Sequence, residues 1–306
     1  MAAITEIRSQ LPNIQRFGPG LVGAFVGGTS GIGESTAREF VRYAVSPRVY
    51  LIGRSQEAAT RIQSEFHKLN PTSEVKFIQA DVSQLRNVDA VCEQIKAQES
   101  KINLLFLSVG IFHFRGREET HEGLDRRFAL DFYARLRFTE NLLPLLRIAA
   151  NAQSSLLESV VSVLGAGREK SIDTTDLSLK HRYTLGAATQ HATTMTTLSF
   201  ARLAAEKDNA GVTFFHTRPG MVKTNGDREL GTAFRLVLGD AGERGLWAAT
   251  SSEFEPGQVH LVAEDSERLN NTKVLKQLEE DGTSSKVWEH TQEVFQAICN
   301  SPVGKC

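Results

Sequence analysis

The sequence predicts an α/β fold, in which a single doubly wound parallel sheet carries helices on both of its faces. Short apolar runs alternate along the chain with segments of helical spacing. The first apolar run passes directly into a glycine-rich turn, and no repeat or low-complexity linker interrupts the series. Because strands joined by helices cross over in the right-handed sense, this alternation brings the strands side by side in parallel.

Seven apolar runs are predicted to form the strands of this sheet. In chain order they are residues 21–26, 48–52, 75–78, 102–109, 155–164, 212–216 and 258–262. The fourth run is almost continuously apolar, which is typical of a parallel strand buried on both faces. Helices are predicted between the strands, at residues 34–44, 57–69, 88–95, 123–150 and 185–207. The fourth helix is predicted to be interrupted late by Pro144.

Two segments flank this series within one predicted domain that spans residues 1–306. Residues 1–20 are predicted to be a polar lead-in, because Pro12 and the run 18–20 break regular structure. Residues 266–306 are predicted to be a C-terminal helical tail. Its apolar side chains recur at helical spacing, at Val287, Trp288, Val294, Phe295 and Ile298. This stripe favours a helix docked on the core, with a partner-binding face as the alternative.

The composition is that of an ordinary globular protein, with 41% hydrophobic and 23% charged residues. A formal net charge of -1 leaves no excess of Lys or Arg for phosphates, which argues against nucleic-acid and acidic-membrane partners. Cys92, Cys299 and Cys306 lack metal-ligand spacing and indicate a reducing compartment. The first residues contain no apolar signal region and no run is long enough to span a bilayer, so we expect a cytoplasmic protein.

A glycine loop follows the first strand, and the rest of the chain is organised around it. It reads Gly27-Gly28-Thr29-Ser30-Gly31-Ile32-Gly33 and leads into the first helix. Glycines let the backbone approach a pyrophosphate closely, and N–H groups at the following helix start can bind the anion. A strand, a glycine loop and a helix in this order are typical of Rossmann-type dinucleotide binding. The alternative is a tight strand-to-helix turn that needs glycines for its backbone conformation and binds no nucleotide.

The loop resembles the T-G-x-x-x-G-x-G pattern of the short-chain dehydrogenase/reductase family, with Val26 in the place of the threonine. The resemblance extends over about residues 20–265 and includes a second motif of the family, P-G-x-V-x-T, at residues 219–224. It implies a nicotinamide dinucleotide held by both motifs. The implied binding residues are Gly27, Thr29, Ser30, Gly31, Ile32, Gly33, Pro219, Gly220, Val222 and Thr224.

Further positions bear on the choice of cofactor. Arg54 follows the second strand, where an acidic residue would bind the ribose of NAD and an arginine accommodates the 2′-phosphate of NADP. We therefore expect NADP(H), with a solvated loop charge as the alternative. Asp81 and Val82 resemble the family's pair that holds the adenine amino group, although Asp81 could instead cap the following helix. Gly110 is the glycine of the family's N-N-A-G motif, whose asparagines are both absent here.

The family's catalytic residues are Asn, Ser, Tyr and Lys, and the resemblance carries over only the serine. Ser162 matches the serine that holds the substrate carbonyl, and Asp131 stands at the asparagine. The tyrosine and the lysine are replaced by Gly186 and Gln190. Without a positioned general acid, reduction of a carbonyl loses about 10²–10⁴ in rate. The chain in this respect resembles divergent fungal members of the family, from secondary-metabolite clusters, that lack the pair.

Two side chains near the lost pair are candidate replacements for the proton donor. Tyr183 shares one helical stripe with Gly186 and Gln190 if the helix begins early enough, and otherwise packs as an aromatic at the helix start. His191 is adjacent to Gln190 but points about 100° away around the helix, toward the core or a subunit contact.

Asp131 is the third candidate. Arg127 and Arg135 lie one turn away on either side of it, and we expect these cations to hold its carboxylate ionised. Asp131 would then act as a base or an electrostatic anchor, with a structural ion pair as the alternative.

Three functions remain open on this evidence. The cofactor motifs favour an NADP(H)-dependent oxidoreductase that acts on an already activated small molecule. The missing Tyr and Lys favour a redox-neutral isomerase or cyclase using the emptied pocket, and a non-catalytic nucleotide-binding protein is the third. Residues 225–238 are expected to form an apolar lid over a hydrophobic substrate. The resemblance also implies a homodimer formed through the helices that carry Tyr133 and His191.

Overall fold

A seven-stranded parallel sheet forms the centre of the protein. The structure, a computed structural model, describes residues 3–111, 116–151, 157–220 and 238–300. The strands follow one another across the sheet in the order β3-β2-β1-β4-β5-β6-β7. They are β1 Val22–Val26, β2 Arg48–Gly53, β3 Glu74–Gln79, β4 Leu104–Leu107, β5 Ser159–Val163, β6 Thr213–Thr217 and β7 Val259–Val262. The order reverses between β1 and β4, where a doubly wound sheet opens its ligand cleft.

Helices cover both faces of the sheet. In chain order they are α1 Ile4–Gln10, α2 Gly31–Tyr43, α3 Gln56–Leu69, α4 Leu85–Lys96, α5 Arg126–Phe128, α6 Ala134–Asn151, α7 Leu185–Ala205, α8 Leu238–Thr250, α9 Thr272–Glu280 and α10 Thr283–Cys299. Short 3₁₀ segments span Leu11–Phe17 and Lys207–Asn209. None of the helices in the described ranges is both long and apolar enough to cross a membrane.

The strands contribute side chains to two separate hydrophobic clusters, because successive side chains of a strand point to opposite faces of the sheet. Val22, Ala24 and Val26 of β1 point into a cluster with α4, α6, α7 and α10. Phe25, between them, points into a second cluster with α1, α2, α3 and α8. The predicted doubly wound α/β fold with helices on both faces is therefore confirmed.

The register of the ladder aligns the strand ends that border the cleft. Val26 of β1 pairs with Leu107 of β4, and Leu107 pairs with Ser162 of β5. Ser162 in turn pairs with His216 of β6. Four strands thus reach the same level at their carboxyl ends, and the side chains that follow them meet at one edge of the sheet.

The prediction that residues 1–20 lack regular structure is wrong. Helix α1 is followed by a 3₁₀ segment that accepts Pro12 in its first turn, where a backbone N–H is not needed. Ile7, Leu11 and Ile14 are completely buried, since their spacing places them on one face against the core. Trp247 of α8 donates its ring N–H to Gln10 over 2.8 Å, which fastens this segment to the fold.

The long helix predicted at residues 123–150 is divided. Asp125 accepts a hydrogen bond from the backbone N–H of Phe128 and caps a first turn. A π-helical turn then spans Ala129–Tyr133, and α6 follows. The predicted interruption at Pro144 is wrong, because α6 continues through Pro144, which faces outward. The break lies instead at the π turn that carries Asp131, and such turns often occur at functional sites.

The C-terminal tail packs as predicted on the core. Val287 and Phe295 of α10 are buried in the cluster that covers one face of the sheet. The docked amphipathic helix is confirmed, and the partner-binding alternative is not needed to explain the apolar stripe.

Candidate functional site

The glycine loop forms a tight turn at the carboxyl end of β1. Gly27 and Gly31 have φ of 84° and 61°, in the left-handed region that glycine adopts without strain. A Cβ on Gly33 would lie 2.4 Å from Ser108 Oγ and 2.6 Å from Gly27 O, so no larger residue fits there. The Ser30 side chain accepts no hydrogen bond from the first turn of α2. The N–H groups of that turn are therefore not capped by Ser30. These N–H groups suit an anion such as a pyrophosphate.

A cleft of about 640 Å³ opens over this loop. Nine of the predicted cofactor residues line it, namely Gly27, Thr29, Ser30, Gly31, Ile32, Arg54, Asp81, Val82 and Gly110. Gly33 lies beneath the loop instead of lining the cleft. Pro219 borders a separate cavity of about 30 Å³ at the end of β6. Gly220 ends its described segment, while Val222, Thr224 and residues 225–237 of the expected lid lie outside the described residues.

Arg54 and Asp81 stand at the rim of the cleft. Arg54 is exposed, and its guanidinium has no hydrogen-bond partner among the described residues. Asp81 accepts hydrogen bonds from the N–H and Oγ of Ser83 at 3.1 and 2.7 Å. Although burial acts to raise the pKa of Asp81, the bonds from Ser83 and the charges of Arg126 and Arg54 lower it. A carboxylate beside an unpaired guanidinium is thus kept ionised at the rim.

The alternative role of Asp81 as a helix cap is wrong. Helix α4 begins at Leu85, and the backbone N–H groups of Leu85 and Arg86 donate to the carboxylate of Glu122 instead. The asparagines missing from the segment after β4 are partly replaced, because Ser108 Oγ donates to Val26 O over 3.2 Å. The polar link between β1 and β4 therefore survives.

Ser162 ends β5 in the interior of the protein. It has no solvent-exposed surface, and it does not line the 640 Å³ cleft. Its Oγ accepts a hydrogen bond of 3.0 Å from Nη1 of Arg135. The predicted catalytic serine is therefore engaged by an arginine one turn beyond Asp131.

Arg135 was predicted only as a neighbour of Asp131, and its place in the site was missed. Its guanidinium is buried between the strand ends and donates to the backbone oxygens of Leu107, Val109, Val163 and Leu130 as well as to Ser162. Burial lowers the pKa of Arg135 to about 10, and Asp131 opposes this shift, so the group is a cation at neutral pH. No local pattern reveals this role, because the acceptors come from two strands and a loop.

Asp131 lies in the π turn beneath the floor of the cleft. A Cβ on Gly110, which lines the cleft, would sit 3.1 Å from Asp131 Oδ1 and 3.9 Å from Arg135 Nη2. Arg127 Nε lies 3.3 Å from the other carboxylate oxygen. The expectation that the two arginines dominate is wrong in direction. Burial raises the pKa of Asp131, and the opposing effects of Arg135 and Arg127 are smaller.

Tyr183 does not join the helical stripe of Gly186 and Gln190. Helix α7 begins at Leu185 with Thr184 as its cap, so Tyr183 precedes the helix. Its buried hydroxyl has no hydrogen-bond partner among the described residues. Burial, and next the charge of Asp125, raise the pKa of Tyr183 to about 12. Arg127 and Asp131 also act on this pKa, which indicates that the phenol stands on their side of the site.

The two positions at which the pair is predicted to be lost are at least partly exposed. Gly186 is exposed, and among the side chains of the described residues only Thr184 Oγ1, at 3.9 Å, lies within 4 Å of a Cβ placed on it. Gln190 donates through Nε2 to Ser171 O. His191 is buried and its Nδ1 donates to Ala187 O over 2.9 Å, as the structural interpretation of this residue expects.

A second buried polar cluster was not foreseen. His216 on β6 accepts a hydrogen bond from the backbone N–H of Gly165 at its Nε2, over 3.1 Å. Its Nδ1 lies 2.7 Å from Thr197 Oγ1, which donates to Glu169 at 2.8 Å. Asn271 Nδ2 donates to the same carboxylate at 2.6 Å. The cluster joins β6, α7 and the C-terminal segment next to the strand that carries Ser162.

The chain is similar to known oxidoreductases over nearly all of its length. Residues 23–233 match the family described as short chain dehydrogenase. An oxidoreductase of Emericella nidulans is 38% identical over 92% of this chain and 94% of its own length. The oxidoreductase andH of Emericella variicolor is 32% identical over 98% of this chain and 99% of its own length.

Solved structures agree on the fold. An NADPH-bound carbonyl reductase from chicken fatty liver superposes with a TM-score of 0.62 at 18% identity, covering 82% of this chain and 98% of that one. The active-site complex of RhlG from Pseudomonas aeruginosa with NADP gives a TM-score of 0.62 at 14% identity, over 81% and 97%. The matched family spans more than half of the chain, and the protein is an oxidoreductase that belongs to the short-chain dehydrogenase/reductase family.

Proposed function

We propose that the protein is an NADP(H)-dependent oxidoreductase that acts on a hydrophobic, already activated small molecule. The observation that carries this proposal is the 640 Å³ cleft over the glycine loop with an unpaired guanidinium at its rim. The absence of the Tyr and Lys pair supports a place in cytoplasmic secondary-metabolite biosynthesis, as in the divergent members of the family that lack it.

The residues present fit this cofactor. The close packing of the loop requires glycine at two positions, because a Cβ on Gly27 would lie 2.9 Å from Val109 N and one on Gly33 2.4 Å from Ser108 Oγ. Gly27 and Gly31 with the first turn of α2 would hold the pyrophosphate. Arg54 would pair with the 2′-phosphate, and Asp81 would accept from the adenine amino group. Bound NADPH would supply a hydride.

The chain's own residues would contribute charge and hydrogen bonds without a built-in proton donor. An ordinary ketone needs a proton as its oxygen becomes an alkoxide, and neither Gly186 nor Gln190 can give one. An iminium or a quinone is less dependent on that proton at the moment of hydride transfer. We infer that Ser162, which has no solvent-exposed surface in the absence of a bound acceptor, would hold the electronegative atom of such an acceptor. Asp131 and Tyr183 would adjust the charge and the protonation state of the groups beside it.

A second function is favoured by one observation. The space at Gly186 is open, and Asp131 combines burial with a raised pKa, which suits a general acid or base. A redox-neutral isomerase or cyclase would use these features without consuming NADPH. Net oxidation of NADPH during turnover distinguishes the oxidoreductase from this alternative.

Replacement of Arg54 tests the choice of cofactor. We expect wild-type protein to bind NADPH more tightly than NADH, because a charge-assisted contact to the 2′-phosphate is worth about 1.5–3 kcal/mol, or about 10- to 150-fold in Kd. Arg54→Ala should remove this preference and leave NADH binding unchanged. Isothermal titration of both cofactors measures these constants.

The control for this experiment is Lys68→Ala, which removes an exposed positive charge from the end of α3. This variant should keep the preference for NADPH. Equal affinities of the wild-type protein for NADPH and NADH would refute the role of Arg54.

A further inference from the structure

We propose that Arg135 is a positioning residue of the active site, which orients the Ser162 hydroxyl as a hydrogen-bond donor and places a permanent positive charge beside it. This inference deepens the proposed function and rests on it for the role of Ser162. The charge stands in for the cation that the family loses here with the lysine.

The first step is the geometry of the hydrogen bond. Arginine has only donors, so Ser162 Oγ must accept from Nη1 of Arg135 over their 3.0 Å contact. The hydroxyl proton of Ser162 consequently points away from the guanidinium. None of the described residues accepts that proton, which leaves it as the unused donor at the end of β5.

The second step is the rigidity of the guanidinium. The two N–H bonds of Nη1 serve three acceptors, because Val163 O at 2.7 Å and Leu107 O at 3.3 Å lie beside Ser162 Oγ. Nε donates to Leu130 O at 3.1 Å. Nη2 donates to Val109 O. Because these acceptors lie in β4, the segment after it, β5 and the π turn, the planar group cannot rotate without breaking several bonds at once. The orientation imposed on Ser162 is therefore fixed before any substrate binds.

The third step is electrostatic. Arg135 is 3% exposed, so its charge acts through protein and not through water. A substrate oxygen or nitrogen that accepts from Ser162 would lie near this charge, and negative charge developing on it would be stabilised. Two titratable groups interact with Arg135 in this region, namely Asp131 and His216. Arg127 and Asp125 act in turn on Asp131. Asp131 is the nearest anion, and burial keeps His216 neutral.

Two variants separate positioning from a structural role. Arg135→Lys keeps a positive charge but loses the planar set of N–H donors of the guanidinium, and burial lowers the pKa of a lysine. Arg135→Met combined with Asp131→Asn removes both charges, so that no carboxylate is left buried against a missing partner. Circular dichroism establishes that each variant is folded, and titration with NADPH establishes that it binds the cofactor.

The kinetic test uses oxidation of NADPH with phenanthrenequinone, an activated acceptor. We expect kcat to fall about 10- to 100-fold in Arg135→Lys and about 10²–10³-fold in the double variant, with KM nearly unchanged. Arg135→Lys should also lose kcat at a lower alkaline pH than the wild-type protein, because a buried lysine deprotonates below the pKa of about 10 that burial gives Arg135. In a Ser162→Ala background the change Arg135→Lys should have little further effect.

A readout independent of activity uses protein labelled with ¹⁵N-arginine. Arg135 should give separate, slowly exchanging Nη–H resonances, and Ser162→Ala should shift them. Unchanged resonances in Ser162→Ala, or a folded double variant with wild-type kcat, would overturn the positioning role. Protein that shows the shift but oxidises no NADPH with the quinone would retain the Arg135–Ser162 contact and contradict the proposed function instead.

Discussion

Two buried side chains near the ends of β4, β5 and β6 determine where the positive charge of the site lies. Arg135 supplies a cation at the centre, and His216 on the neighbouring strand is completely buried. Because Gly165 donates to Nε2 of His216, a neutral ring carries its proton on Nδ1 and donates it to Thr197. Thr197 then donates to Glu169. The hydrogen bonds run in one direction and fix the tautomer.

This cluster predicts a loss of stability in acid. Burial, and next the charge of Arg135, lower the pKa of His216 from 6.5 to about 3. The unfolded chain therefore binds a proton below about pH 6.5 that the folded protein refuses until about pH 3, so stability falls as the pH falls through this window. Between about pH 7 and pH 5 the loss from His216 should approach 2 kcal/mol, at about 1.4 kcal/mol for each unit below 6.5.

Urea unfolding of His216→Gln at both pH values measures this contribution. The glutamine can still accept from Gly165, and we expect its loss in acid to be smaller by about 2 kcal/mol. His260 and His290, whose pKa values burial also lowers, would produce the remaining loss. The exposed His67→Gln serves as the control. An identical loss in His216→Gln and wild type would contradict the neutral buried histidine.

Among the elements, α10 contacts the π turn that carries Asp131 without lining the cleft. His290 Nε2 lies 2.7 Å from the hydroxyl of Tyr133, the last residue of the π turn that carries Asp131. The guanidinium of Arg202 on α7 lies 4.9 Å from the ring centre of Trp288, and that of Arg137 on α6 lies 5.3 Å from the ring centre of Phe295. Helix α10 thus lies against the helices that were expected to form a homodimer. A dimer stays a prediction, and it would need a face that α10 leaves uncovered.

Truncation of Phe295 tests the contribution of α10 to stability. The ring is 2% exposed, and Phe295→Ala should lower the free energy of unfolding by about 3–5 kcal/mol through lost burial and a cavity. Gln296→Ala, at an exposed position on the same helix, should change it by less than about 0.5 kcal/mol. Equal stabilities of the two variants would mean that α10 is not part of the cooperative core.

The elements could be predicted from sequence to different extents, for physical reasons. Strands buried on both faces leave continuous apolar runs, and the glycine loop is a local motif, so both were found. Helix α1 was missed because seven residues are too few to show the helical repeat of apolar side chains. The π turn was missed because no sequence pattern distinguishes it from an α-helix. Arg135 was missed because its acceptors Leu107 and Ser162 lie 28 and 27 residues away. Such contacts exist only once the strand ends are brought together.

Across the whole molecule, the two halves of the sheet differ in how closely their residues match the motifs of the family. The half from β3 to β4 keeps the glycine loop, the rim residues Arg54 and Asp81, and an open cleft. In the half from β5 to β7 we predict that Ser162 is retained, while Gly186 and Gln190 stand in place of the family's proton donor and its cation and the buried Arg135 supplies the charge. The account therefore predicts hydride chemistry that is limited by proton supply.

The most direct measurement compares the rates of NADPH oxidation with phenanthrenequinone and with a simple cyclic ketone, in wild type and in Gly186→Tyr/Gln190→Lys. Both changes should be tolerated, since Gly186 is open and a lysine can replace the bond of Gln190 to Ser171. Wild type should favour the quinone by about 10²–10⁴-fold, and the double variant should reduce the ketone faster, with strongly non-additive single changes. A wild type that reduces the ketone as fast as the quinone, or that oxidises NADPH with neither, would contradict the account.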